Sequence, residues 1–271
     1  MNGNEYNKVT QEIENRTKHI GKKIAIASGK GGVGKSTVTA LLGSALASRG
    51  KKVAIMDADL TGPSIPRILG IKDRPSIINS RINPPLSRNG IKVISMNMFL
   101  ESEGKPVIWR GPLIGNVIRQ FLSETEWGEL DFLLIDFPPG TSDVPLTVMQ
   151  SLKLDGIVIV TTPQELVAMV VEKAIGMANQ MDAPILGIVE NMSGMKCPKC
   201  GEMIEIFSSN SAAKSSGFEN IPLLGKLPLD SSLCRACDDG TLWNYRSDLV
   251  EGFVNEFMKS VEKISEILSE N

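Results

Sequence analysis

Several features that would assign this chain to a familiar class are missing. No uninterrupted apolar run in the 271 residues reaches the roughly 18 needed to cross a bilayer, which excludes a membrane-spanning helix. Met1 to Ile20 are polar and lack the apolar core of a secretory leader, so this stretch is not read as one. Neither sign of charge dominates: the net charge is −2 and the isoelectric point about 5.7. The basic stripe of a nucleic-acid-binding domain is therefore absent. The single histidine, His19, is read as a solvated side chain. The four cysteines form two C-x-x-C pairs, which does not suit a disulfide framework. In a cytoplasmic protein, the compartment expected here, that spacing signals metal or redox chemistry.

What is present begins with Ser28-Gly29-Lys30-Gly31-Gly32-Val33-Gly34-Lys35-Ser36-Thr37. An apolar run, Ile24 to Ala27, precedes it and reads as a buried strand; Thr37 to Ser48 follows and reads as a helix. Strand, glycine-rich turn, lysine, hydroxyl and helix form a phosphate-binding loop. The glycines let successive backbone N–H groups turn toward anionic oxygens, and the helix N-terminus adds partial positive charge. Lys35 would reach the β- and γ-phosphates, and Ser36 would help hold Mg²⁺. Gly29-x-Gly31-x-x-Gly34 also satisfies the dinucleotide pattern, with Asp57 about 20 residues downstream. The Lys35–Ser36 pair decides for the phosphate loop, because a dinucleotide fold needs neither residue.

With 42% hydrophobic residues the chain can bury a full α/β core. Strands are predicted at Lys23–Ala27, Lys52–Asp57, Ile91–Ser95, Phe132–Asp136, Gly156–Thr161, Ile185–Asn191 and Leu223–Leu227. They are short and rich in Val, Ile and Leu without alternation, as in parallel strands buried on both faces. Helices are predicted at Thr37–Ser48, Leu113–Leu122, Val144–Leu152, Leu166–Gln180 and Ala212–Ser216. The order predicts a single-domain, doubly wound, mainly parallel α/β sheet with helices on both faces. Residues 1–20 are expected to be a short helix or arm, and residues 21–271 the nucleotide-hydrolysing domain. Residues 60–90, rich in proline and glycine, are expected to be a long irregular connection. The segment Ser247–Glu270 is an amphipathic helix expected to pack on the sheet; its acidic face does not suit an anionic membrane.

Two acidic strand ends complete the hydrolytic pattern. Phe132-Leu133-Leu134-Ile135 ends in Asp136, where a Walker B carboxylate holds Mg²⁺ or its water. Val53-Ala54-Ile55-Met56 ends in Asp57-Ala58-Asp59; acids one residue apart point differently, so one can support the site while the other meets the attacking water.

Lys30 inside the loop resembles the deviant Walker A of the MinD/ParA/ArsA/NifH class of P-loop ATPases. The resemblance implies that Lys30 reaches across a nucleotide-sandwich homodimer, that Asp59 acts at the attacking water and that Asp136 is the Walker B residue. It also implies that Asn191 reads the adenine, with Pro228 and Asp230 flanking the base. Within the class, four motifs resemble the Mrp/ApbC family of ATP-binding iron–sulfur cluster carriers. They are Asp57-Ala58-Asp59-Leu60-Thr61-Gly62-Pro63-Ser64, Trp109-Arg110-Gly111-Pro112, Asp136 to Asp143 and Glu190-Asn191-Met192-Ser193, and Cys197-Pro198-Lys199-Cys200-Gly201 follows the last. The likeness runs from about Lys22 to Asp248.

Two thiolates at C-x-x-C spacing can bind one soft metal centre, but a 4Fe–4S cluster takes four cysteines. The family resemblance implies a cluster bridging a dimer, with Cys197 and Cys200 from each chain; zinc fits the same sulfur set. The second pair, Cys234 and Cys237, is usually incomplete in the family and is read as structural rather than as metal or redox chemistry. Residues 1–20 hold no cysteine, so cluster or sulfur input is expected from a separate donor protein. The function implied is slow, regulatory ATP hydrolysis with Mg²⁺ and delivery of the cluster to apo iron–sulfur proteins, without nucleic acid or membrane. The alternative is a spatial-regulation ATPase of the MinD/ParA type without a cluster, which would leave Cys197 and Cys200 idle; a metabolic P-loop kinase is a third reading.

Overall fold

The computed structural model describes residues 3–59, 62–99, 111–140, 143–163, 175–176, 178, 183–197, 199–206 and 221–269. Strand Ile20–Ala27 (β1) lies between Leu130–Asp136 (β6) and Gly156–Thr161 (β7), parallel to both. Val53–Asp57 (β2) and Lys92–Ser95 (β5) extend the sheet beyond β6. Ile185–Lys196 (β8) and Leu223–Leu229 (β10) extend it beyond β7. The order is thus β10-β8-β7-β1-β6-β2-β5, all parallel, and the short strand Met203–Ile204 (β9) pairs antiparallel with the end of β8.

Strand alternation divides the core in two. Ile24 and Ile26 of β1 join Val53, Ile55, Phe132, Leu134, Val158 and Val160 on one face. Ala25 and Ala27 join Ala54, Met56, Leu133, Ile135, Ile157 and Ile159 on the other. Successive side chains point to opposite faces, so strands without polar alternation are those covered twice. The first face is covered by Lys35–Ser48 (α2) and the long helix Asp248–Ser269 (α7). Val250, Phe253, Val254, Phe257 and Val261 of α7 are buried there at helical spacing, as expected from the sequence. The second face is covered by Gly3–Thr17 (α1), Gly111–Glu124 (α4) and Asp143–Ser151 (α5). The N-terminal segment is thus a helix, anchored by buried Ile13, and His19 beyond it is exposed.

The connection over 60–90 is more ordered than expected. It holds the one-turn helix Ile65–Ile68 (α3), with proline in its first turn, and a hairpin of Ser76–Ile78 (β3) and Arg81–Asn83 (β4). Its turn uses left-handed Asn79 and Ser80, φ 51° and 59°, a conformation that glycine normally signals and that this sequence does not announce. Helix Ser231–Asp238 (α6) was also not anticipated; Asp230 caps it, accepting from the N–H groups of Ser232 and Leu233. Leu60, Thr61, Trp109, Arg110, Thr141, Ser142, Pro198 and the helix expected at Ala212–Ser216 lie outside the described residues. So does the helix expected at Leu166–Gln180, apart from Ile175, Gly176 and Ala178.

Candidate nucleotide site and thiol hairpin

The phosphate loop leaves β1 between its two neighbouring strands, at the carboxyl end of the sheet where ligand crevices form in open α/β folds. Gly32 and Gly34 turn the chain at φ 80° and 79°. Gly34 is the N-cap of α2 and supplies no side-chain cap, so Lys35 and Ser36 already belong to the first helical turn. Uncapped N–H groups at that terminus suit an anion. A cleft of about 250 Å³ opens there, lined by the loop from Lys30 to Thr37 and by Ser28, Asp59, Ser64 and Pro139.

Behind the cleft Asp136, at the end of β6, is wholly buried. Its Oδ2 accepts from Lys35 Nζ at 2.8 Å and from Ser36 Oγ at 2.6 Å, and its Oδ1 accepts from Thr39 Oγ1 at 2.6 Å. Parallel register brings this about, because β1 aligns Ile26 with Asp136 and the chain then turns into α2. Thr39 escaped sequence reasoning; its position, one turn beyond Lys35 on the same helix face, was the available signal.

The two acids after β2 divide as their spacing suggests. Asp57 faces inward and accepts from the N–H groups of Asp59, Ser64 and Ile65 and from Ser95 Oγ. Burial, and then the charge of Asp136, push its carboxyl up to about 8, against the N–H of Ile65, the Lys35 ammonium and the N–H of Asp59. Asp59 lines the cleft, and its Oδ1 accepts from Gly62 N at 3.2 Å. Ser64, with its N–H on Asp57 and its side chain at the cleft, joins the site although it was quoted only as part of a motif.

Asn191, near the middle of β8, donates its side-chain N–H to Val33 O at 2.9 Å. A Cβ on Gly34 would lie 2.2 Å from the same Asn191 nitrogen, so this approach requires glycine. Pro228 is half-buried on β10 and Asp230 caps α6; neither lines the cleft. Asp230 Oδ2 also accepts from Tyr245 Oη at 2.8 Å. Burial raises its carboxyl pKa, but the hydrogen bonds from Ser232, Tyr245 and Leu233 outweigh burial and hold it below the usual range.

Past the sheet edge, β8 continues to Lys196 and returns as β9, so Cys197 and Cys200 occupy the turn of a projecting hairpin. Cys197 N donates to Glu202 O, and Gly201 N to Cys197 O, closing that turn. The N–H groups of Cys200 and Lys199, and then the Cys200 thiol, hold the Cys197 thiol below its usual pKa. Such a turn is built to carry a thiolate. Cys234 and Cys237 lie elsewhere, one turn apart on α6; Cys234 is exposed and Cys237 half-buried. Among the described residues no three His, Cys, Asp or Glu side chains gather to hold a metal ion.

Comparison with known proteins agrees with this geometry. The family model of NUBPL iron-transfer P-loop NTPases, of the ParA type, matches residues 19–265. An iron–sulfur cluster carrier protein of Clostridium perfringens is 45% identical over 235 residues, covering 84% of this chain and 82% of the relative. One of Methanocaldococcus jannaschii is 48% identical over 229 residues, covering 84% of this chain and 79% of the relative. Among solved structures, a nucleotide-binding protein of Archaeoglobus fulgidus in complex with ADP superposes with TM-score 0.80 at 48% identity, covering 89% of this chain and 96% of that one.

Proposed function

The chain belongs to the ParA-type NUBPL iron-transfer P-loop NTPases, and from that premise we propose that it is an ATP-hydrolysing carrier of iron–sulfur clusters, acting as a homodimer in the cytoplasm. One observation carries the reading: β8 bears Asn191, bonded to the phosphate loop, and leads at its far end into Cys197, in a turn whose N–H groups favour a thiolate. A spatial regulator of the MinD/ParA kind has no use for that hairpin.

ATP binds with its phosphates against the uncapped N-terminus of α2 and the loop N–H groups from Gly31 to Thr37. Lys35, already placed by Asp136, meets the β/γ-phosphate charge. Ser36 Oγ and Asp136 Oδ2, 2.6 Å apart, offer the oxygen donors that Mg²⁺ takes. When bound, Mg²⁺ neutralises charge on the phosphate oxygens. Asp59, at the cleft, orients the attacking water, and Asp57 holds the Asp59 loop in place by accepting its N–H groups. Lys30 serves the nucleotide of the second protomer, and Asn191 with Pro228 and Asp230 forms the base side of the site.

The cluster is cargo. A single hairpin supplies two thiolates, whereas a 4Fe–4S cluster takes four; two copies placing Cys197 and Cys200 together meet that requirement. The γ-phosphate then acts as a switch on loops beside Asp59 and Asp136, and the cluster passes from an upstream donor to apo-proteins.

Anaerobic reconstitution with iron and sulfide tests the proposal. About four irons per dimer, with the absorption and EPR spectra of a cluster and their loss in Cys197→Ser, are expected. Iron-free protein that still hydrolyses ATP would return the reading to a spatial regulator. Iron retained in Cys197→Ser would move the site to Cys234 and Cys237.

A further inference from the structure

Helix α6, N-capped by Asp230, meets the elements around the nucleotide site at two points near its C-terminal end. The Thr37 hydroxyl, in the phosphate loop, reaches the neighbourhood of the Cys237 sulfur and favours its thiolate form. Gly240, just past its end, packs on Gly70 so closely that a Cβ there would lie 2.6 Å from Gly70 Cα. Gly70 follows α3, whose Ile65 N–H holds the Asp57 carboxylate. The last turn of α6 is thus braced between the phosphate loop and the segment that positions Asp59.

That same turn carries a thiol pair. Cys234 and Cys237 are three residues apart on one helix face, where Cβ atoms stand about 5–6 Å apart. A disulfide brings Cβ atoms to about 3.8 Å. Joining the two sulfurs therefore tightens the end of α6 and draws Cys237 away from Thr37. Cys234 is exposed to oxidants, and Cys237 is half-buried behind it.

We propose that Cys234 and Cys237 are a thiol modification site, separate from Cys197 and Cys200, at which conversion of the dithiol to an intrahelical disulfide weakens nucleotide binding. The inference rests on the phosphate-loop reading above, but not on cluster transfer. The oxidant is a low-molecular-weight disulfide such as glutathione disulfide. The Cys234 thiolate attacks one of its sulfurs, forming a mixed disulfide and expelling one thiolate. Cys237 gives up its proton and attacks the Cys234 sulfur, expelling the second thiolate. Both leaving thiolates take up the protons lost by the two cysteines, so two protein thiols and one small disulfide become one protein disulfide and two small thiols. Burial, then the negative charges of Cys234 and Asp238, push the Cys237 thiol up to about 11 despite the opposing influence of the Thr37 hydroxyl. Cys237 is accordingly the resolving thiol and Cys234 the attacking one.

The test uses the full chain carrying Cys197→Ser and Cys200→Ser, which removes the other pair. Affinity for a fluorescent ADP analogue is measured after reduction and after equilibration with glutathione disulfide, alongside intact mass. The expected result is loss of two hydrogens and about tenfold weaker ADP binding, reversed by dithiothreitol. Adding Cys234→Ser, which keeps Cys237 against Thr37, should abolish both changes while leaving reduced-state affinity intact. By reciprocity, saturating ADP should raise the reduction potential of the pair by the same tenfold, about 30 mV, and so leave more dithiol at a fixed glutathione poise. The opposite sign for that ADP effect would overturn the proposal, as would a disulfide that leaves ADP affinity unchanged or a pair that stays reduced. Failure of the reduced protein to bind ADP would instead sink the phosphate-loop reading itself.

Discussion

The side-chain amide of Asn191 donates to the Val33 carbonyl at 2.9 Å, tying β8 to the phosphate loop at the residue before Gly34. Gly34 sits at φ 79°, where an L side chain costs about 1–2 kcal/mol. Gly34→Ala should therefore destabilise the fold by at least about that amount and lose ADP affinity. Adding Asn191→Ala removes the clash but not the backbone cost, so the double variant should recover part of the lost stability and little affinity. Urea denaturation and ADP titration of the two single variants and the double variant check this; full recovery would mean that sterics alone set the glycine.

Lys35 and Asp136 form a buried ion pair, 6% and 0% exposed. Lys35→Ala leaves a buried carboxylate with only its Ser36 and Thr39 donors, so a loss of about 3 kcal/mol is expected. Lys35→Ala with Asp136→Asn removes the uncompensated charge and should be the more stable of the two, though equally unable to hydrolyse ATP. Thermal unfolding without nucleotide separates the electrostatic cost from the catalytic one.

Thr39 tests a contact without direct exposure to the cleft. Thr39→Val keeps the shape, removes the hydroxyl from Asp136 Oδ1 and should cost about 1–3 kcal/mol. Thr39→Ser should restore most of it. If Val and Ser behave alike in denaturant titrations, the hydrogen bond contributes nothing measurable.

Cys197 should alkylate at lower pH than an ordinary thiol, because the N–H groups of Cys200 and Lys199 stabilise its thiolate. Iodoacetamide labelling of metal-free protein across pH, read by peptide mass, measures the midpoint at Cys197. Gly201 holds the turn at φ 79°, so Gly201→Ala should raise that midpoint toward the usual value.

Asp230 provides a pH dependence with a definite sign. Its pKa is depressed in the fold, so its contribution is complete above the unfolded carboxylate pKa of 3.8 and is lost as pH falls through the lower folded value. Asp230→Asn keeps a good N-cap while removing the titration. Its melting temperature should therefore fall less than that of the wild type between about pH 5 and pH 2.

Much of this arrangement was legible because it depends on local chemistry. The loop from Lys30 to Thr37, Asp136 at a strand end and the doubly buried strands each announce themselves through residue type and spacing. Asp230 was less legible: it reads as a loop residue, yet three hydrogen-bond donors and Tyr245 engage it at the start of a helix. Thr39 and Ser64 join the site through tertiary register, which spacing alone does not display. The β3–β4 turn was missed for a similar reason, since Asn79 and Ser80 adopt left-handed backbone without glycine.

Strand β8 has one more consequence. From Asn191 to Cys197, just past its end, the chain takes six steps, at most about 20 Å even if fully extended, and works as a gauge between two chemistries. Inserting a single residue there would invert the facing of everything beyond it and lengthen the gauge by about 3 Å. Length changes in this short stretch should therefore be tolerated far less well than substitutions, even at its exposed positions Met195 and Lys196. A library of insertions and deletions would map the span more sharply than any scan of side chains.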